Sequence, residues 1–398
     1  MTDAAPPLIL HVIHHLRMGG MENGLVNLIN RMPPTRYRHA IACVEDSSEF
    51  ERRIERPGVA VHSLHRSRIG VWGLQRELFS LCRKIRPAIL HSRNQSGLDA
   101  LLPARMAGVR RRIHGEHGWD VGDIHGTKWK PALLRRVHAP LVDRYVTVSK
   151  DLERYLIERI GIAPRRITQI YNGVDTERFA PVPRPDRDRL PEAFRAEGLV
   201  LVGLVGRLQP VKDFASMIRA LGVLRERAPR AEAAVRVAVF GDGPLLGDLR
   251  GLVASLALES RVWFAGSVPD VPDALRSMDL FALTSRNEGI SNTILEAMAV
   301  GLPVLATAVG GNVELVQDGV TGTLVPAGDP ESLAGAVAAY ASDPALRRAH
   351  GEAGRARAVE RFSLAAMVRR YLDLYDAELG SAPSGERRQE DESGFVPA

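Results

Sequence analysis

The chain has 398 residues, of which 45% are apolar, 25% charged and only 5% aromatic, with a formal net charge of +6. That length suggests two or three domains of ordinary globular composition, with apolar content for two cores. The positive balance favours an anionic partner and leaves nucleic acid, an anionic membrane surface and a phosphorylated small molecule open. Cys43 and Cys82 are the only cysteines, too few and too scattered for a disulfide framework or a zinc site. The opening MTDAAPPLILHVIHH lacks a positive n-region, and no run approaches the ~18–20 apolar residues of a membrane span. The expectation is a soluble, cytoplasmic protein.

Short β-branched runs alternate with helix-length segments. LILHVIHHL (8–16), HAIACVE (39–45), VAVHSLH (59–65), AILHS (88–92), RRIHGEH (111–117) and YVTVS (145–149) read as strands, with helices such as Gly73–Arg86 and Thr127–Leu141 between them. The proline- and charge-rich stretch Phe179–Gly198 reads as a linker. A second series follows: LVLVGLVGRL (199–208), VRVAVF (235–240), RVWFAGS (261–267), DLFALTS (279–285), LPVLATAV (302–309) and TGTLVP (321–326). Such alternation argues for βαβ units and two doubly wound parallel sheets. The expected division is a first domain over 1–178, a linker over 179–198, a second domain over 199–362, a terminal helix over 363–380 and a disordered tail over 381–398.

Open α/β sheets bind ligands at the carboxyl ends of their strands, and the suggestive stretches all fall there. In LRMGGMENG (16–24), Gly19 and Gly20 precede a helix, which suits a phosphate, a sugar or merely a tight turn. In HGEHGW (114–119), His117 closes a strand as a hydrogen-bonding, acid/base or structural residue. In LVGLVGRLQPVKDF (201–214), Arg207 and Lys212 would clamp a diphosphate or lie solvated near a helix start. FGDGPLLG (240–247) approximates a dinucleotide fingerprint through Gly241 and Gly243, but its spacing is G-x-G-x-x-x-G and it follows the wrong strand. Asp186-Arg187-Asp188 is a D-x-D pair in a linker, a poor metal site. RNEGISNTILEAMAVG (286–301) places Glu288 in a turn with Gly289 and Glu296 about one turn into a helix. Ile290, Ser291, Asn292 and Thr293 then present helix N-terminal N–H groups. Thr293-x-x-Glu296 also fits a capping box, whereas a start at Ser291 or Asn292 would leave Glu296 free.

Together these stretches resemble the retaining glycosyltransferases of family 4, with the two-domain GT-B fold, over nearly all of residues 8–380. The most specific piece is EGISNTILEAMAVGLPV, supported by GGMEN, NGVDTERF (172–179), GRLQPVKDF and GGNVELVQDGVTGTLV (310–325). GGMENGLVNLIN, RIHGEHGWD and EGISNTILEAMA are similar to sugar transferases of exosortase (PEP-CTERM) exopolysaccharide systems. The resemblance implies two Rossmann-like domains facing a cleft, with the C-terminal helix returning to the first. It implies a nucleotide-sugar donor, a glycan or lipid-linked glycan acceptor, and neither metal, cofactor nor nucleic acid. By it, Arg207 and Lys212 hold the diphosphate, Glu296 the ribose hydroxyls and Glu288 the sugar hydroxyls. His117 faces the sugar and Gly20 lines the phosphate, while Ser291 stands where many members have a glycine or proline.

The basic segments across 110–136, beside Trp129, suggest peripheral contact with an anionic inner leaflet or simply a solvated face. Two rivals remain from other classes: an NADP-dependent oxidoreductase built on FGDGPLLG, and a nucleotide-sugar-binding module without catalysis.

Overall fold

The computed structural model describes residues 5–119, 123, 126–182, 187–268 and 270–380. Two all-parallel sheets organise the chain. The first has the order β3-β2-β1-β4-β5-β6-β7, from β1 (Leu8–Ile13), β2 (Arg38–Cys43), β3 (Ala60–Ser63), β4 (Ile89–Arg93), β5 (Arg111–Glu116), β6 (Arg144–Thr147) and β7 (Ile167–Gln169). The second has the order β10-β9-β8-β11-β12-β13, from β8 (Val200–Val205), β9 (Val235–Phe240), β10 (Val262–Gly266), β11 (Leu280–Leu283), β12 (Val304–Thr307) and β13 (Gly322–Val325). All twelve expected strands form, most within a few residues of the expected runs and β9 at the bounds expected for it. The extra strand, β7, is three residues long and carries too few apolar positions to announce itself.

Both sheets are covered on both faces, which is why their strands read as continuous apolar runs rather than alternations. Beneath one face of the first sheet, Leu74, Leu78, Leu101, Ala104 and Leu156 form a core. On its other face lie α1 (Gly20–Arg31) and the last helix among the described residues. That helix, Leu364–Leu379, seats Met367, Tyr371 and Tyr375 against Ile9, Ile89 and Ile113, so the C-terminal segment does return to the first half. Tyr37 donates to Asp376 at 2.6 Å, and Arg144 donates to Glu378 at 2.9 Å, fixing its register.

The stretch expected as a linker is partly packed. Phe179, Leu190 and Phe194 are buried in the core of the second half, and Glu192–Phe194 forms a 3-10 turn. Its proline and charge content hides three apolar anchors spaced far enough apart to escape a compositional reading. Asp186 of the D-x-D pair and the 381–398 tail lie outside the described residues; Asp188 is exposed.

Candidate active site between the two sheets

Strand order reverses between β1 and β4 in the first sheet and between β8 and β11 in the second. Such switch points open a crevice at the strands' carboxyl ends. In the second half, Lys212 lies in a 3-10 turn, Pro210–Lys212, after β8. Its carbonyl accepts from Thr284 Oγ1 at 3.0 Å, and Asp213 accepts from Arg286 Nε at 3.1 Å, so the turn is stitched to the end of β11. Lys212 Nζ then donates to Glu288 Oε1 at 2.6 Å, and Ser285 Oγ donates to the same oxygen at 2.6 Å. Arg207 is exposed. Burial raises the Glu22 carboxyl on α1, while its own backbone hydrogen bond and then the charge of Arg207 in the other half lower it.

The turn after β11 touches the first half directly. A Cβ on Gly289 would lie 2.7 Å from Gly118 Cα, so only a bare backbone fits there. The following helix, Asn292–Val300, is capped by Ser291, whose Oγ accepts from Ile294 N–H at 3.3 Å and meets Thr293 Oγ1 at 3.0 Å. The capping box from Thr293 to Glu296 does not form, because the N-cap is Ser291 and the helix starts two residues too early for it. Ser291 is thereby spent on the cap instead of reaching into the cleft. Asn292 bridges the halves: its Nδ2 donates to Gly20 O at 3.3 Å and its Oδ1 accepts from Asn172 Nδ2 at 2.8 Å. Ile290 is buried, packing the turn from below.

Glu296 lines a polar hollow of about 180 Å³ between the halves, with Asn23, Asn27, Arg53, Asn172 and Arg178. Burial pushes its carboxyl up to about 7, opposed by Arg178. The two glutamates thus part company, one paired with Lys212 and the other enclosed beside α1.

Family models agree with this architecture. The model described as "Glycosyltransferase Family 4" matches residues 18–178, and "Glycosyl transferases group 1" matches residues 200–343. The chain belongs to the family 4 glycosyltransferases. Among its relatives is the GDP-mannose-dependent alpha-(1-6)-phosphatidylinositol monomannoside mannosyltransferase of Mycolicibacterium smegmatis, 33% identical over 63% of this chain and 66% of that protein. Another is the UDP-Gal:alpha-D-GlcNAc-diphosphoundecaprenol alpha-1,3-galactosyltransferase of Escherichia coli, 28% identical over 75% of this chain and 77% of that one. Among curated relatives the match spans 66% of the mycobacterial enzyme and half of a D-inositol 3-phosphate glycosyltransferase from Salinispora tropica. Among solved structures, Anabaena Alr3699/HepE in complex with UDP superposes with a TM-score of 0.79 at 22% identity, covering 94% of this chain and all of that one. The fold is GT-B.

In this family 4 chain, His117 departs from its expected pose. Its backbone N–H donates to Asn94 Oδ1 at 2.8 Å, but the ring folds back over Gly115, where a Cβ would lie 2.6 Å from Nε2. That Nε2 is buried and without a hydrogen-bond partner. Burial, then Arg93, hold the imidazole down at about 3, so it is neutral. The ring therefore sits at the seam and points towards His91 rather than into the open cleft. Gly241 and Gly243 also have a packing reason. A Cβ on Gly241 would overlap Gly206 O, and one on Gly243 would lie 2.6 Å from Leu208 O, so these glycines let the loops after β8 and β9 cross. The oxidoreductase reading loses its fingerprint to that crossing. A Cβ on Gly20 would lie 2.8 Å from Asn292 Nδ2 of the other half, whereas one on Gly19 would overlap the Glu22 carboxylate of its own half, so only Gly20 serves the contact between the halves.

Several residues of the site escaped the sequence reading. Asn172 lies inside NGVDTERF, but its partner Asn292 is on the opposite half. The buried chain of His39, His11 and Arg93, with contacts of 3.0 and 3.1 Å, had one partial signal: His11 interrupts an apolar strand run between Leu10 and Val12.

Proposed function

We propose that the protein is a retaining, metal-independent glycosyltransferase that moves a sugar from a nucleoside-diphosphate donor to a lipid-linked glycan in exopolysaccharide assembly. The observation that carries the reading is the Lys212–Glu288 pair at the β8/β11 switch point, roofed by the first half through Gly289 and Gly118. A lysine and a carboxylate placed there suit a ligand with a diphosphate at one end and hydroxyls at the other.

In this reading Lys212 and Arg207 take the diphosphate, with Gly19 and Gly20 beside it. Lys212 exchanges Glu288 for phosphate oxygens, which frees Glu288 to accept from sugar hydroxyls. Glu296 accepts from the ribose hydroxyls in its enclosed hollow. His117, neutral and with a free ring nitrogen, acts at the sugar after a rotation of its side chain. The bond from the anomeric carbon to the phosphate oxygen breaks, the acceptor oxygen bonds to that carbon on the same face, and its proton leaves with the diphosphate. Stabilising the departing charge is the main task, and one well-placed donor contributes about 3–4 kcal/mol. Neither glutamate attacks the sugar, in keeping with their separation: one is tied to a lysine and the other lies in a different hollow.

A lipid-linked acceptor is supported by the substrates named for the mycobacterial and Escherichia relatives, phosphatidylinositol monomannoside and a diphosphoundecaprenol. No described helix is long and apolar enough to cross a membrane. The helix Trp129–His138 nevertheless exposes Trp129 (65%) and Val137 (64%) among Lys128, Lys130 and Arg136, the pattern of an interfacial contact with anionic lipid.

The test is a screen of UDP-, GDP- and ADP-sugars by thermal shift, followed by an assay of nucleoside diphosphate release, with and without anionic liposomes bearing a polyprenyl-diphosphate glycan. Stabilisation by one nucleotide sugar and release of its diphosphate are expected. Stabilisation by NADPH alone would overturn the reading, and no flotation with anionic liposomes at low salt would remove the membrane contact.

A further inference from the structure

Glu314 stands in a short helix of the second half, Asn312–Leu315, yet its carboxylate is bound almost entirely by the first half. Lys150 N–H donates to both of its oxygens, at 2.9 and 3.0 Å, and Asp151 N–H donates to Oε1 at 3.3 Å. Tyr171 OH donates to Oε2 at 2.9 Å. Burial, then this hydrogen bond, pushes the Tyr171 phenol up to about 12, so the phenol stays a donor. One carboxylate from one half therefore collects three donors from the other, across the cleft.

The backbone that carries Glu314 is held firmly and leads straight to the donor turn. Arg357 donates to the carbonyls of Glu314 and Leu315, each at 2.9 Å. Upstream, Gly311 N–H donates to Glu288 O at 3.3 Å. A Cβ on Gly310 would overlap that same carbonyl, and one on Gly311 would overlap Gly289 O. Gly310 also has φ +48, which bends the loop onto the turn. Two glycines thus press the Glu314 segment against the residue whose carboxylate holds Lys212.

We propose that Glu314 is a positioning residue that clamps the two halves together and sets the backbone of Glu288 when they close. Donors on Lys150, Asp151 and Tyr171 grip the carboxylate only while the first half lies over the second. Gly310 and Gly311 pass that placement to the Glu288 carbonyl without an intervening side chain. When the halves part, the Glu288 turn loses its external support, and the Lys212 partner is no longer held in register. Its coupling to turnover rests on the donor reading above, whereas the clamp itself does not.

The test separates the two. Fluorophores at Glu77→Cys in the first half and Arg348→Cys in the second, both at exposed positions, report the distance between halves with and without saturating UDP or GDP. In Glu314→Ala the distribution should shift towards longer distances. With the donor found by the screen, its kcat should fall about tenfold or more, while the donor KM changes less. Glu314→Gln, which keeps the volume and one acceptor oxygen, and Tyr171→Phe should move both readouts the same way by smaller amounts. These two variants carry the test should the alanine variant fail to fold. A wild-type distance distribution in Glu314→Ala overturns the clamp. A shifted distribution with wild-type kcat overturns the coupling. If the wild-type protein turns over no nucleotide sugar, the donor reading fails while the distance measurement still decides the clamp.

Discussion

Each half contains a carboxylate paired with a cation at a strand's carboxyl end, and the two pairs do opposite things. In the first half Glu116, the last residue of β5, meets Arg135 at 2.6 and 3.0 Å with both side chains almost fully buried. Burial would raise the Glu116 carboxyl, but Arg135 and His114 outweigh it and hold it at about 2. In the second half the Lys212–Glu288 contact is equally short, at 2.6 Å, but the lysine is 24% exposed and the pair faces the cleft. A bidentate arginine buried on its own helix, its guanidinium also over the Tyr155 ring, does not turn towards an incoming anion. A lysine on a flexible stem at the lip of a crevice does. The first pair builds a wall, and the second keeps a cation ready for an anion.

That contrast can be broken by mutating each cation. Arg135→Met leaves a buried carboxylate without its main partner and should lower stability by about 3–5 kcal/mol, read by chemical denaturation. Lys212→Ala removes a partly exposed pair and should change stability by less than about 1 kcal/mol, while kcat/KM for the donor falls about 10²–10³-fold. Equal losses of stability in the two variants would erase the distinction, as would wild-type donor affinity in Lys212→Ala.

The same comparison extends to pH. Glu116 is depressed, so its contribution is fully present above the ordinary carboxylate pKa near 4.5 and is lost as pH falls towards 2. Glu296 is raised to about 7, which reverses the sign. The folded state binds its proton more tightly than the unfolded chain does, so stability falls as pH rises from about 4.5 to 7 and levels off above that. Glu296→Gln should therefore be the more stable protein at pH 8, by an amount on the order of 2–3 kcal/mol, and should lose that advantage near pH 5. Donor affinity should behave in the opposite way. Only the carboxylate form accepts from two ribose hydroxyls, so wild-type affinity, measured by calorimetry, should weaken below pH 7. A pH-independent affinity in the wild type, matched by the glutamine variant, would detach Glu296 from the ligand.

Much of this architecture is visible in the residues themselves. Twelve strands announce themselves because buried parallel strands need β-branched runs, and the loops with Arg207, Lys212 and Glu288 follow from where those runs stop. What stays hidden depends on how the halves meet. Glu314 and Asn172 look like surface polar residues until the opposite half supplies Lys150 and Asn292. Phe179 and Phe194 look like linker residues because their surroundings are proline and charge. The direction of a side chain is similarly hidden: His117 reads as cleft-facing from its place at a strand end, and only the space left by Gly115 shows the ring turning back.

Ser291 offers the smallest and sharpest version of the comparison, since wall and ligand compete for one hydroxyl. The Oγ already accepts from Ile294 N–H and meets Thr293 Oγ1. Its capping role predicts that Ser291→Ala lowers stability by about 1 kcal/mol, with donor affinity falling only as far as the helix start frays. A direct contact predicts the reverse, an affinity loss with little change in stability. The geometry favours the cap, because the serine is 3% exposed and turning its hydroxyl towards a ligand would strip a buried helix N-terminus of its acceptor. Ser291→Asp separates the two further. A carboxylate caps as well as a hydroxyl does, but it would repel a diphosphate bound nearby. Restored stability with weakened donor binding would place the phosphates beside this helix end, whereas unchanged donor binding would place them elsewhere on the second sheet's rim.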